Sequence, residues 1–246
     1  NTTTGVVSEA ASWCVENVVA GTCSAPGSIV PDTSGGSTVY NCVTGTNVVE
    51  MPVTCSGRMQ IPGVVAPTTD TRKIWTKGAN AASLNNFKLG AGGDLSAADF
   101  DATKLSGLSQ WPSLDSTQKT AAVGSTIVNY LRGQTGYDDR AGNNNGTVNN
   151  RLFRFRESTM GDAVESQPAY VGKPTFSYTD TGYSAFKATT RAGTVYIGAN
   201  DGMLHAFDAT TGDERWAYVP SMLISKMWKL ADKNYSTNHD YYANGS

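Results

Sequence analysis

No stretch of about eighteen apolar residues occurs in this 246-residue chain, so the sequence offers no membrane-spanning helix. Charged residues make up only 16% and the formal net charge is −2, which leaves no basic footprint for nucleic acid. Histidine occurs only twice, as the isolated His205 and His239, so no Ser-His-Asp or Cys-His arrangement can be drawn. His205 sits in a strand pattern beside Ala206 and reads as a packed or rim residue. The glycine-rich run at residues 90–94 (GAGGD) is too short and wrongly placed to cradle a phosphate at a helix start. No signal peptide is visible and the first residue is not Met, so the chain reads as a processed or trimmed fragment.

Cysteine is also sparse. Cys14, Cys23, Cys42 and Cys55 all fall in the first quarter, among Gly, Ser, Thr and Pro. An even count in a loop-rich stretch predicts two disulfides, which would staple a segment with little core of its own and place it in the periplasm or outside the cell. Zinc is the alternative; the lack of a CxxC pair and of a nearby His speaks against it. Three pairings remain open, of which Cys14–Cys23 with Cys42–Cys55 closes the smallest loops. Short strand and turn patterns around these cysteines, with Ile74 and Trp75 at the centre of one more strand, predict a small β-rich module over residues 1–90.

The period then changes. Ser96-x-x-Asp99 is an acidic capping box and predicts a short helix. Asp115 or Ser116 caps a stronger one, with Val123, Ile127 and Leu131 on one core-facing stripe and Gly133 at its end. The loop that follows is rich in oxygen side chains. Asp138, Asp139, Asn143 and Asn145 are candidate calcium ligands, but the spacing fits no calcium loop and no bidentate Glu stands at the right offset. The expectation is therefore no metal here. Arg151 and Arg154, in a basic-apolar alternation, read as surface strand charges or as partners of Asp162 or Asp201. Residues 91–160 form a helical connector with a polar loop.

Residues 195–220 (VYIGANDGMLHAFDATTGDERWAYVP) read as three strands joined by two tight turns. Asn200, Asp201 and Gly202 form the first turn; Asp208 to Gly212 form the second, with an Asp carboxylate to receive backbone N–H groups and Gly for the left-handed position. Leu204 and Ala206 share one face of the middle strand; Met203, His205 and Phe207 share the other. Pro220 stops the third strand. A meander of this kind must pack on something else. A short aromatic-rich helix before it and an amphipathic helix after it, with Leu223, Met227 and Leu230 in step, complete the pattern.

The run from Ala199 to Trp216 resembles a quinoprotein-type β-propeller blade. Together with residues 161–174 (GDAVESQPAYVGKP), 216–232 (WAYVPSMLISKMWKLAD), 129–133 (NYLRG) and 151–162, it resembles the PilC/PilY family of type IV pilus-associated proteins. The resemblance covers roughly residues 95–246. It implies a large secreted or cell-surface protein, reached through the periplasm, with a variable amino-terminal part and a modified propeller at the carboxyl end. It further implies roles in pilus biogenesis, adhesion and twitching motility, with pilins or minor pilins and host or abiotic surfaces as partners. Calcium is possible in the full-length family protein, but no ligand carries over to this chain and no cofactor is expected in it.

The expected fold is thus mainly β with a few helices: a disulfide-bearing β module, then the first part of a propeller over residues 161–246. A propeller needs about four to eight blades, so it is incomplete in this chain. The open edge of the meander would be finished by the remaining blades or by another chain, and Leu204, Phe207 and Trp216 would be buried only then. The expected function is a non-enzymatic pilus biogenesis factor or pilus-tip adhesin fragment. The alternatives are a fragment of a quinoprotein-like dehydrogenase and a structural subunit of a cell-surface filament.

Overall fold

Turn residues and β-branched runs set the strands, and the sheets follow from their pairing. The computed structural model describes residues 70–77, 83–144, 146, 149–156 and 158–243, together with the backbone of three earlier strands. These strands are β1 (Ser28–Asp32), β2 (Val39–Thr44) and β3 (Asn47–Met51), paired antiparallel in the order β1-β2-β3. They belong to a first unit, residues 1–60. Cys42 lies in β2 opposite Ile29 and Val49. Cys14, Cys23 and Cys55 lie outside the described residues, and of Cys42 only the backbone is described, so the disulfide expectation falls outside them.

The second unit, residues 61–246, is built on a mixed, open sheet. Its strands are β4 (Ile74–Thr76), β5 (Asn85–Asn86), β6 (Ala169–Val171), β7 (Thr194–Ala199), β8 (Met203–Asp208) and β9 (Glu214–Val219). Their order is β5-β4-β9-β8-β7-β6. The three-strand meander read from the sequence is β7-β8-β9, paired antiparallel throughout. Both of its edges take strands of the same chain: β4 pairs parallel with β9, and β6 pairs antiparallel with β7. Residues 74–76 therefore extend the blade's sheet, although their pattern groups them with the amino-terminal module. Sequence could not supply a parallel pairing across some 140 residues, because local pattern carries no register for a distant partner.

The apolar face of the meander is covered within the chain. Met203, His205 and Phe207 are each 0% exposed. This corrects the expectation that Phe207 stays bare without a neighbouring blade; Leu204 and Trp216 are half-buried. The helical connector supplies much of the cover. Ile127, Tyr130, Leu131, Phe153, Met227 and Leu230 share one core with Met203, Ala217 and Val219.

The stronger predicted helix divides in two: α2 (Ser116–Ala122) and α3 (Ser125–Leu131), after the short α1 (Ala102–Leu105). Asp115 caps α2 in a reciprocal capping box with Gln118. The break falls at Gly124, whose φ of 67° and ψ of −126° suit glycine alone. A Cβ there would meet nothing closer than Leu89 Cδ1 at 4.0 Å, so the constraint is backbone and not space. Gly124→Ala is expected to cost about 1–3 kcal/mol in urea unfolding, with no change in the native spectrum. Among the described residues the remaining α-helices are α4 (Tyr183–Ala188) and α5 (Ser221–Ile224); a 3-10 turn at Met227–Ala231 continues the amphipathic stretch after α5.

Candidate functional site

The chemistry-bearing residues of the second unit gather beneath the meander. A regular antiparallel ladder would put Glu214 on the same face as Trp216, away from His205, because side chains alternate along a strand. The ladder is not regular. His205 opposes Ala217 and Ala206 opposes Trp216, but Phe207 opposes Glu214, with a bulge between Ala206 and Phe207. The bulge swings Glu214 onto the buried face of β8. There its Oε1 lies 2.8 Å from His205 Nδ1. Asp201, four residues before His205 across the Asn-Asp-Gly turn, meets Nε2 at 3.1 Å.

Arg72 closes this row. It donates from Nε and Nη2 to the two oxygens of Glu214, both at 2.8 Å, and from Nη1 to the carbonyl of Arg132. The side chains of Arg72, Glu214 and His205 are at most 1% exposed. Arg132 in turn grips Asp70 with a fork, Nε–Oδ2 at 2.7 Å and Nη2–Oδ1 at 3.0 Å, and donates to the carbonyls of Arg72 and Phe87. The segment leading into β4 is thereby fastened both to the end of α3 and to the blade.

The charges set one another's protonation. Burial alone would push the His205 imidazole down; the Asp201 carboxylate first, and then Glu214, outweigh it and hold it up at about 9. Burial opposes ionisation of Glu214 as well, but Arg72 and His205 draw it down to about 2. His205 is therefore an imidazolium that donates from both nitrogens. It has no lone pair and no exposure, so it serves as a charge in the core and not as a base. Its ring stacks on Phe207, with centroids 5.7 Å apart.

Next to this row lies a cavity of about 320 Å³. Arg154, Arg156, Asp162, Asp201, Tyr235 and His239 line it, with apolar surface from Leu131, Met160 and Leu230. Gly161 lets the backbone close against the first turn of the blade: a Cβ there would lie 2.3 Å from the Asp201 nitrogen. That approach allows the Gly161 N–H to donate to Asp201, and Asn200 to bond the Asp162 carbonyl and carboxylate.

Comparison with known proteins now bears on this arrangement. The PilY1 beta-propeller domain matches residues 160–246, the stretch that holds β6 to β9, the Gly161 contact and the 3-10 turn after α5. Residues 160–246 belong to the PilY1 beta-propeller domain family. The chain is 44% identical over 134 residues to a type IV pilus biogenesis factor PilY1 homolog of Xylella fastidiosa, covering 51% of this chain and 10% of that protein. It is 35% identical over 185 residues to type IV pilus biogenesis factor PilY1 of Pseudomonas aeruginosa strain PAK, covering 71% of this chain and 14% of that protein. No solved structure matches.

In this PilY1-type blade the predicted turn residues take distinct places. Gly202 has φ of 87° and its N–H returns to the Ala199 carbonyl; Gly212 has φ of 78°. Asn200 is buried and accepts from the Tyr242 N–H. Asp208 accepts from the N–H groups of Thr210 and Thr211 and pairs with Arg215, and the Arg215 bond, followed by those backbone donors, lowers its carboxyl to about 2. Trp216 lies 5.8 Å from Tyr196 on the opposite face of the sheet from His205.

The candidate calcium residues are engaged elsewhere. Asp138 is fully buried and receives Arg140 Nε and Nη2, both at 2.6 Å. Asp139 faces Arg151 at 2.6 Å and Lys233 at 3.2 Å. Asn143 spends its amide nitrogen on the carbonyls of Thr135 and Asp138. Asn145 lies outside the described residues. No group of three or more His, Cys, Asp or Glu side chains placed to hold a metal occurs among the described residues. Arg151 thus pairs with Asp139, and Arg154 lies over the Tyr235 ring, so neither reaches the Asp162 or Asp201 carboxylate. What residue pattern missed is the Arg72–Glu214–His205–Asp201 row. Its one sequence signal was a lone His two residues from Phe207 on an apolar strand face, which calls for a buried counter-charge.

Proposed function

We propose that this chain is a non-enzymatic part of a type IV pilus biogenesis factor, and that it works at the cell surface by binding protein and surfaces. The observation that carries this reading is the PilY1 beta-propeller match over residues 160–246. Relatives covering more of the chain are named as pilus biogenesis factors. Among the described residues, Arg72, Glu214 and His205 form a charged row whose side chains are at most 1% exposed, which suits a scaffold more than a catalyst. Pilins or minor pilins, and a host or abiotic surface, are the proposed partners. The outer edge of the described sheet is β6, where Tyr170 is 63% and Val171 46% exposed. An unpaired, partly apolar edge invites a further strand, from remaining propeller blades or from another chain.

The test is made in a piliated bacterium that carries the full-length protein. Removing the segment that corresponds to residues 160–246 is expected to abolish surface pili and twitching while the truncated protein is still made. Normal piliation and twitching in that strain would end the proposal. Binding to immobilised minor pilins, compared between the intact and truncated proteins, separates an assembly role from adhesion.

A further inference from the structure

The cavity beside the blade holds two guanidinium groups without a partner acid. Arg154 and Arg156 stand two residues apart in the chain, and both line the cavity. Neither forms an ion pair with any carboxylate of the described residues. Arg154 lies 4.6 Å from the Tyr235 ring centre and donates from Nε to the Leu230 carbonyl at 3.2 Å. Arg156 lies 3.8 Å from the Tyr130 ring centre and donates from Nη2 to the Tyr130 carbonyl. Each guanidinium rests over a ring, and most of their N–H donors remain free of described protein acceptors.

The cavity's own acids are bonded to other groups. Asp201 is taken by His205 and by the N–H groups of Gly161 and Met203. Asp162 accepts from Asn200 Nδ2 at 3.0 Å and faces His239 at 3.5 Å. Burial, together with the charge of Arg154, draws the Arg156 guanidinium below its ordinary range, while Tyr130, Asp201 and Asp138 oppose that shift. A partly desolvated cation next to a like charge is unfavourable until an anion joins it.

We propose that this cavity binds a carboxylate, received between Arg154 and Arg156. A monoanion fits better than a dianion such as phosphate, because Asp162 and Asp201 stand in the same wall. Leu131, Met160 and Leu230 offer an apolar wall for the carbon atoms behind the carboxylate. A volume of about 320 Å³ admits a small organic acid or the last residues of a peptide chain. The shared chemistry is the carboxylate; a free acid and a protein chain end are its two sources.

The test follows the Arg154 and Arg156 side-chain N–H resonances of the intact chain by NMR at constant ionic strength. The probes are acetate, a short alanine peptide with a free carboxyl end, the same peptide amidated, and inorganic phosphate. Saturable shifts with acetate and with the free-ended peptide are expected. Tighter binding of the peptide identifies a chain end as the source, and equal binding identifies a free acid. Arg154→Gln and Arg156→Gln should each weaken binding about tenfold or more, as loss of a charge-assisted bond does. Shifts that never saturate, equal binding of the amidated peptide, or phosphate binding more tightly than acetate would each overturn the proposal. Should Arg156→Gln fail to fold, the wild-type titration and Arg154→Gln decide alone.

Discussion

Glu214→Gln lowers the stability of the second unit by about 3–5 kcal/mol, the cost of removing one partner from a buried ion pair. The side chain is 1% exposed and holds Arg72 through two hydrogen bonds and His205 through one. The amide keeps the shape and one acceptor oxygen, but it removes the negative charge between two cations. Arg72 and His205 then face each other across a dry gap with Asp201 as the remaining counter-charge. Urea unfolding followed by tryptophan fluorescence measures the loss. Asp208→Asn serves as the contrast. Asp208 also pairs with an arginine, but that pair is partly exposed, with side chains at 24% and 30%, and Asn can still accept from the turn's N–H groups. Its change should stay under about 1 kcal/mol. Similar losses for the two variants would mean that the buried row contributes no more than a surface pair.

Stability also falls as the solution turns alkaline. The His205 imidazole titrates at about 9 in the folded chain against an ordinary value of 6.5. A raised value means that the folded state binds the proton more tightly, so the contribution is whole below pH 6.5 and is lost as pH climbs to about 9. The loss over that window is roughly 3 kcal/mol. Glu214 works in the other direction. Its carboxyl is lowered from 4.5 to about 2, so its contribution is whole above pH 4.5 and fades as pH falls toward 2. The two are largely the same attraction seen from either partner and are not added. Maximum stability is therefore expected between about pH 4.5 and 6.5. Unfolding midpoints measured from pH 5 to 9 check this, with His205→Gln as the variant in which the alkaline decline should flatten. An equally steep decline in that variant would place the effect on other groups.

How much was legible differs from element to element. The meander was plain because its signals are local: Asn-Asp-Gly supplies a hairpin turn, Asp-x-x-x-Gly supplies the next, and β-branched residues fill the strands between. Ser96 and Asp115 did mark helical starts, through side chains that bond backbone two or three residues on. The break at Gly124 was harder, since a glycine within a good apolar stripe is read as tolerated until its φ is known. The candidate cation loop was legible as polar, but its ion pairs were not: only the fold shows Arg140, Arg151 and Lys233 already on its two aspartates.

The sequence by itself determined the strands and turns of the blade, its family resemblance, and the lack of an apolar run long enough to span a membrane as a helix. All of these rest on contacts within a few residues or on composition, where spacing alone constrains the backbone. Tertiary structure decided the rest. The parallel joining of β4 to β9 puts Arg72 beside a strand some 140 positions later, and a single bulge turns Glu214 to the face where His205 waits. A one-residue slip in pairing exchanges the faces of every following side chain, and nothing in a linear pattern records such a slip. The same holds for the cavity, whose two arginines are an ordinary basic alternation in the chain and become a pair of guanidiniums over aromatic rings, in no ion pair with a described carboxylate, only after Tyr130 and Tyr235 arrive from distant segments.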